Sequence, residues 1–144
     1  MTTDSMLTRG VLARRFIAFL IDMLIISTIS WSAAFAILVF GILTLGLGFL
    51  MFHILPWIPL FYYTLFVSGT AATPGQVLLG LTMRQDETLD RPNLAQALVW
   101  TLLLGLSFVL GCVPFALALF NPRHRAAHDL LSGLVIIRRA ENTY

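Results

Sequence analysis

Arg15 and Asp22 are the first residues whose types and spacing could do chemistry, because they stand at and within a long apolar run. They are seven positions apart, and at 100° per residue a helix brings both side chains to one face, roughly two turns from each other. If this run crosses a membrane with Arg15 at the lipid headgroups, Asp22 lies about 10 Å deeper. A carboxyl group at that depth must be paired, hydrated or protonated. It is therefore either a functional group or a structural one that pairs with an arginine.

Asp129 is the second informative acid, and it directly follows His128 near the end of the chain. We expect it to meet Arg14 or Arg15, which would close the tail onto the first helix. As a partly wet contact, such a pair contributes about 1 kcal/mol or less. The predicted charge network consists of Arg15, Asp22 and Asp129, with Arg14, His128, Arg123 and Arg125 as secondary members.

A metal site is the other chemistry that the tail could support. His124 and His128 are four residues apart, so one helix face could present both as ligands. Asp129 would point away from that face, and the sequence offers no evident third ligand. We therefore expect neither a metal nor another cofactor.

The composition requires a lipid environment for most of these elements. Of the 144 residues, 58% are hydrophobic and 11% charged, and the mean hydropathy is +0.89. A soluble domain of this size could not hide so much apolar surface. Although the pI is about 9.2, the charges are sparse and flank apolar runs, which indicates membrane orientation rather than nucleic-acid binding. With no nucleophile elbow, phosphate loop or complete metal set, we expect no enzymatic activity.

The apolar runs predict a single all-α integral membrane domain over residues 1–144. A hairpin of two transmembrane helices comes first, at about 16–40 and 49–68, and the Gly-rich stretch between them breaks the run. A cytoplasmic amphipathic linker follows at 69–93, then a third apolar segment at 94–120 and a basic tail at 121–144. The third segment is either one tilted helix or a helix of about 94–110 followed by a short returning or re-entrant helix.

Local signals organise the linker and the tail. Thr73 is placed to cap a short helix, with Pro74 at its first position and Gln76 able to complete a capping box. Residues 81–84 and 134–137 resemble short strands. We expect these two strands to pair on the cytoplasmic side.

Orientation follows from the arginines, since basic residues concentrate in cytoplasmic loops. The sequence has nine arginines and no lysine. The arginines lie in three stretches, 9–15, 84–91 and 123–139, which flank the apolar runs. The simplest arrangement puts all three stretches on one side, which requires the third apolar segment to return. We therefore predict a multi-pass protein of the bacterial inner membrane with both termini in the cytoplasm.

Three stretches together resemble the RDD family of bacterial membrane proteins, which is named for one arginine and two aspartates. They are Arg15-Phe16-Ile17-Ala18-Phe19-Leu20-Ile21-Asp22, then Thr73-Pro74-Gly75-Gln76 with Leu79-Gly80-Leu81, and His128-Asp129-Leu130-Leu131-Ser132-Gly133. On this resemblance the three eponymous residues are Arg15, Asp22 and Asp129. The sequence departs from the pattern at Gln76, where many members have Lys, and at Leu134, where many have Thr.

The resemblance implies a helical membrane fold and transport of a ligand, with sodium–proton exchange in some members. We expect a membrane protein that moves a small ion or solute, including by proton-coupled cation exchange. Asp22 would bind the cation or proton, Arg15 would be its gatekeeping partner, and Asp129 would be a cytoplasmic latch. Its partners would be the lipid bilayer, a small cation or proton, and further copies of itself or another membrane protein, but no nucleic acid. The alternative is a non-transporting accessory or assembly subunit.

Overall fold

Helices form most of the part of the chain that the structure describes. The structure is a computed structural model and describes residues 10–111, 113–120 and 125–139, without the side chains of 114, 115, 117 and 118. In chain order its elements are α1 (Val11–Leu43), a 3₁₀ helix (Leu47–Trp57), α2 (Ile58–Thr70), α3 (Pro74–Leu78), β1 (Leu81–Gln85), α4 (Leu94–Val109), α5 (Val113–Phe120), α6 (Ala127–Ser132) and β2 (Leu134–Arg138).

Two helical stretches are long and apolar enough to cross a membrane. They are α1, with 33 residues, and the 24-residue stretch formed by the 3₁₀ helix and α2. Only 11% and 22% of their most apolar segments are buried inside the protein, and side chains such as Trp31 and Phe35 are exposed. Apolar helices that a protein leaves so uncovered suit a lipid surrounding.

The Gly-rich stretch forms the turn of the helical hairpin, as the sequence predicts, although α1 begins and ends a few residues outside the predicted range of 16–40. The chain reverses at Gly46, whose φ of +100° favours glycine. Gly41 and Gly48 let the two arms approach closely, because a Cβ on Gly48 would overlap the backbone of Gly41. Thr44 Oγ1 accepts a hydrogen bond of 2.8 Å from the Gly48 N–H.

The second apolar stretch is not the single α-helix that the sequence predicts over 49–68. Residues Leu47–Trp57 form a 3₁₀ helix, and the α-helix begins only at Ile58. Pro56 lies inside the 3₁₀ part, where it supplies no N–H donor to the helix. Pro59 lies in the first turn of α2, where a missing N–H costs no intrahelical bond.

The third apolar segment is two helices rather than one. A capping box formed by Asn93 and Gln96 starts α4, which ends at Val109. Gly111 then takes a left-handed conformation with φ +71°, and α5 follows at Val113–Phe120. The break therefore lies near residue 110, where the two-helix alternative from the sequence ends its first helix.

The capping box and the strand pairing predicted from the sequence are both present. Thr73 accepts a hydrogen bond from the Gln76 N–H, and the Gln76 side chain accepts one from the Thr73 N–H. Strands β1 and β2 form an antiparallel pair in which Leu81 stands opposite Arg138 and Gln85 opposite Leu134. The sheet therefore joins the linker to the tail at the end of the molecule where α1 begins.

Gly75 brings the short helix α3 against the backbone of α1. A Cβ at this position would overlap the carbonyl oxygen of Ala18 and lie 3.0 Å from the carboxyl carbon of Asp22. Ala18 is itself buried, with 1% exposure. The contact therefore requires a small residue on each helix, as at many close helix–helix contacts in membranes.

We predict that Gly75→Ala destabilises the protein by about 1–3 kcal/mol, because the added methyl group must push α3 away from α1. Gly105→Ala is the matched control, since nothing lies within 4 Å of a Cβ built at that helical position. The measurement is thermal unfolding of both variants in detergent. An unchanged Gly75→Ala midpoint would show that α3 does not press on α1.

Candidate functional site

Asp22 accepts three hydrogen bonds from two other helical elements. Its Oδ1 receives the Tyr62 hydroxyl at 2.8 Å and the Gly75 N–H at 2.9 Å, and its Oδ2 receives the Thr73 hydroxyl at 2.5 Å. Tyr62 comes from α2, and the other two donors lie at the start of α3. With 2% of its surface exposed, Asp22 joins α1, α2 and α3 at one point.

Arg15, expected as the gatekeeping partner of Asp22, forms its ion pair with Asp129 instead. Of the arginines in the described part of the chain, none forms an ion pair with Asp22. Seven residues along a helix correspond to a rise of about 10 Å, which is too far for direct contact unless a long side chain turns inward. Hydroxyl and backbone donors bind the carboxyl group instead, so it is held by hydrogen bonds from neutral groups.

Arg15 binds the other aspartate. Its Nη1 lies 2.6 Å from Asp129 Oδ2, and this ion pair closes the tail onto α1 as the sequence predicts. Trp100 of α4 donates its indole N–H to Asp129 Oδ1 at 2.8 Å, and the Ala126 N–H donates to Oδ2 at 3.0 Å. Asp129 therefore holds α1, α4 and α6 together.

Asp129 is fully buried, which corrects the prediction of a partly wet contact. Burial by itself would raise the pKa of Asp129, but the Arg15 guanidinium and the Trp100 N–H hold that pKa below its usual value. The carboxyl group is therefore ionised at neutral pH. A buried ion pair of this kind depends on both partners, since removal of one leaves an uncompensated charge.

His128 packs against this pair as a neutral ring. Burial lowers the pKa of His128 to about 4, against the opposing effect of Asp129. The ring stands edge-on to Trp100, with centroids 5.3 Å apart. The second histidine considered for a metal site, His124, lies outside the described residues.

The secondary arginines make structural contacts with backbone carbonyls and one acid. Arg14 donates to the carbonyl oxygen of Leu79 at 2.8 Å, which covers the end of α3. Arg125 pairs with Asp86 at 2.6 Å and also donates to the Leu134 carbonyl oxygen at 3.0 Å. Arg123 lies outside the described residues.

A cavity of about 650 Å³ is lined by Asp22 and by two residues that contact Asp129, Arg15 and His128. Most of its lining is apolar and comes from α1, α4 and α5. Polar groups converge on it from Arg15, Asp22, Tyr63, Gln76, Trp100 and His128. A concave, mainly apolar space with a few convergent polar groups is the usual form of a small-molecule site.

Sequence reasoning missed the groups that hold the two acids. Tyr62, Thr73 and Gly75 reach Asp22 over 40 to 53 positions of sequence, and Trp100 reaches Asp129 over 29. The Tyr62 hydroxyl and the Trp100 indole N–H lie inside apolar runs of the sequence. This position indicated that each would form a hydrogen bond when buried. No local pattern indicated which acid each would contact.

Comparison with known proteins identifies one family. The sequence model of the RDD family matches residues 9–133, which is most of the chain and includes Arg15, Asp22 and Asp129. This match confirms the family resemblance of the three sequence stretches. No curated protein and no solved structure matches the chain.

We predict that Asp129→Asn destabilises the protein by about 3 kcal/mol, because it leaves the buried Arg15 charge without its carboxylate. The asparagine N–H₂ group would also replace a carboxylate oxygen that accepts from Arg15, Trp100 or Ala126, so one of these donors would lose its acceptor. Thermal unfolding in detergent and proteolysis of the 125–139 segment measure the effect. Asp90→Asn, at an exposed position, is the control and should change stability by less than about 0.5 kcal/mol. Equal stability of the two variants would contradict a structural role for the Arg15–Asp129 pair.

Proposed function

Because the chain belongs to the RDD family of membrane proteins, we propose that it binds a small cation in the cavity beside Asp22 and moves it across the membrane. The observation that carries this proposal is the set of groups that hold Asp22. This residue lines the cavity, and its carboxyl group accepts hydrogen bonds from three neutral donors, without an arginine among the described residues. The donors fix the position of the carboxylate and leave its negative charge in place.

The cavity therefore favours positive charge. Two unit charges 4 Å apart interact by about 4 kcal/mol at an effective dielectric constant of 20, so a cation entering beside Asp22 would gain substantial attraction. Arg15 does not cancel this attraction, because its charge is balanced by Asp129 at 2.6 Å. Exchange of the cation for a proton is one way in which such a site could be emptied.

For the orientation, we propose a multi-pass arrangement in the bacterial inner membrane with both termini in the cytoplasm. Arg14 contacts the end of α3, and the Arg139 N–H donates to the Gly80 carbonyl oxygen at 2.7 Å, so both arginines lie at the sheet end of the molecule. The hairpin turn at residues 44–46 carries no charge. By the positive-inside rule the sheet end faces the cytoplasm.

A non-transporting accessory or assembly subunit is the second candidate. The hydrogen bonds of Asp22 favour it, because a carboxylate that three donors hold between helices also serves as an anchor. The exposed apolar faces of α1 could then contact another membrane protein. Transport by so few helices would in turn require several copies of the chain to form a complete pathway.

The orientation predicts a defined labelling pattern after Cys112, which lies outside the described residues, is replaced by serine. Leu45→Cys, in the turn, should react with a membrane-impermeant thiol reagent in intact cells. Thr88→Cys and Arg139→Cys should react only after the cells are broken open, because both lie at the sheet end. Labelling of Arg139→Cys from outside, with Thr88→Cys protected, would contradict the proposed return of the chain.

We predict that Asp22→Asn folds but loses at least nine-tenths of cation flux in proteoliposomes, because it removes the charge that attracts the cation. The asparagine Oδ1 can still accept from Tyr62 and Gly75, and its N–H₂ group can donate to the Thr73 hydroxyl. Stability should therefore fall by only about 1 kcal/mol. Flux of sodium, potassium and tetraethylammonium under a pH gradient is measured beside thermal unfolding.

Asp90→Asn is the charge-matched control and should keep wild-type flux, since its side chain is exposed and outside the cavity. Flux that survives in Asp22→Asn would remove Asp22 from the pathway. A wild type without flux of any of these cations would leave the accessory-subunit proposal in place.

A further inference from the structure

The cavity is walled by aromatic rings from α1, α2 and α4. Phe19 of α1 stacks on Phe108 of α4 with ring centroids 5.4 Å apart, and Tyr63 stands edge-on to Trp100 at 5.9 Å. Phe16 completes the set on α1, and all five residues line the same cavity. Aromatic faces carry a negative electrostatic potential that attracts cations, most strongly where water is excluded.

The charges around this space add to the same preference. Among the described residues that line the cavity, the Arg15 charge is balanced by Asp129, and His128 is neutral because burial lowers its pKa to about 4. This leaves Asp22 as the uncompensated charge of the described lining. The described part of the lining is therefore negative, and its wall is mainly apolar and aromatic.

The hydroxyl of Tyr63 belongs to a second polar residue of the cavity lining. It is buried, with 6% of the residue exposed, and no described residue forms a hydrogen bond with it. A buried hydroxyl without a partner loses free energy relative to one in water.

We infer that the cavity binds a small organic cation of the tertiary or quaternary ammonium type, with its charge beside Asp22 and its alkyl groups against the aromatic rings. This inference rests on the proposed function and names the class of its substrate. An alkyl-substituted ammonium ion suits the wall because it is large, weakly hydrated and attracted to aromatic faces. A bare metal cation would need several oxygen ligands, and the Asp22 oxygens already accept three hydrogen bonds.

An isosteric pair of probes tests the charge requirement. Choline and 3,3-dimethyl-1-butanol have the same shape and hydroxyl group, but only choline carries a charge. Binding is measured by calorimetry on the purified full chain in lipid nanodiscs, with empty nanodiscs subtracted. We expect saturable binding of choline, and of tetraethylammonium in competition with it, at least tenfold tighter than binding of the neutral alcohol. Sodium chloride at matched ionic strength should not displace either ammonium ion.

A ring substitution tests the aromatic contribution without disturbing the hydrogen bonds of Asp22. Phe16→Leu removes one ring at a position that is 65% exposed, and Phe35→Leu removes a ring of similar exposure on α1 outside the cavity. We expect Phe16→Leu to weaken choline binding about fivefold, the equivalent of about 1 kcal/mol for one cation–π contact. Phe35→Leu should bind as the wild type does, and both variants should keep the wild-type unfolding midpoint.

Equal binding of choline and the neutral alcohol would overturn the inference, as would the absence of saturable binding of either ammonium ion. Displacement of choline by sodium at equal concentration would also overturn it, while leaving cation transport by this protein open to the flux measurement. The inference and the proposed function can thus fail separately.

Discussion

A carboxylate buried in an apolar protein needs hydrogen-bond donors or a cation, and this requirement governs how the chain closes. Asp22 obtains three donors from α2 and the start of α3, which places those elements against the N-terminal half of α1. Asp129 obtains Arg15 from α1 and the indole N–H of Trp100 from α4. The apolar surfaces of α1 face outward over most of their length, so these polar contacts carry much of the specificity of the packing.

The two acids are compensated in different ways, and the difference gives the cavity its character. At Asp129 the guanidinium of Arg15 cancels the charge, so that end of the cavity is electrically balanced. At Asp22 the donors are neutral and no described residue supplies a positive charge, so an ionised carboxylate there would stand uncancelled beside the aromatic rings. An interior of low dielectric constant strengthens such an uncancelled charge relative to one in water.

The sequence predicts what depends on neighbouring residues and leaves out what depends on distant ones. The capping box of Thr73 and Gln76 and the two short strands follow from local pattern, and they are present. That Asp129 contacts one of the two arginines at positions 14 and 15 could be predicted from their opposite charges, and the structure shows that the partner is Arg15. The partners of Asp22 could not be predicted, because apolar periodicity fixes the face of a residue and not the element that meets it.

The structural role of Asp22 and its proposed role in cation binding are compatible because they use different properties of the carboxylate. Anchoring uses its oxygen lone pairs, which Tyr62, Thr73 and Gly75 occupy in part. Cation binding uses its net charge, which hydrogen bonds from neutral groups do not remove. An arginine paired with Asp22 would have held the helices together more strongly but would have cancelled the carboxylate charge, as Arg15 does at Asp129. Neutral donors therefore hold the helices together and are compatible with the proposed binding of a cation beside Asp22.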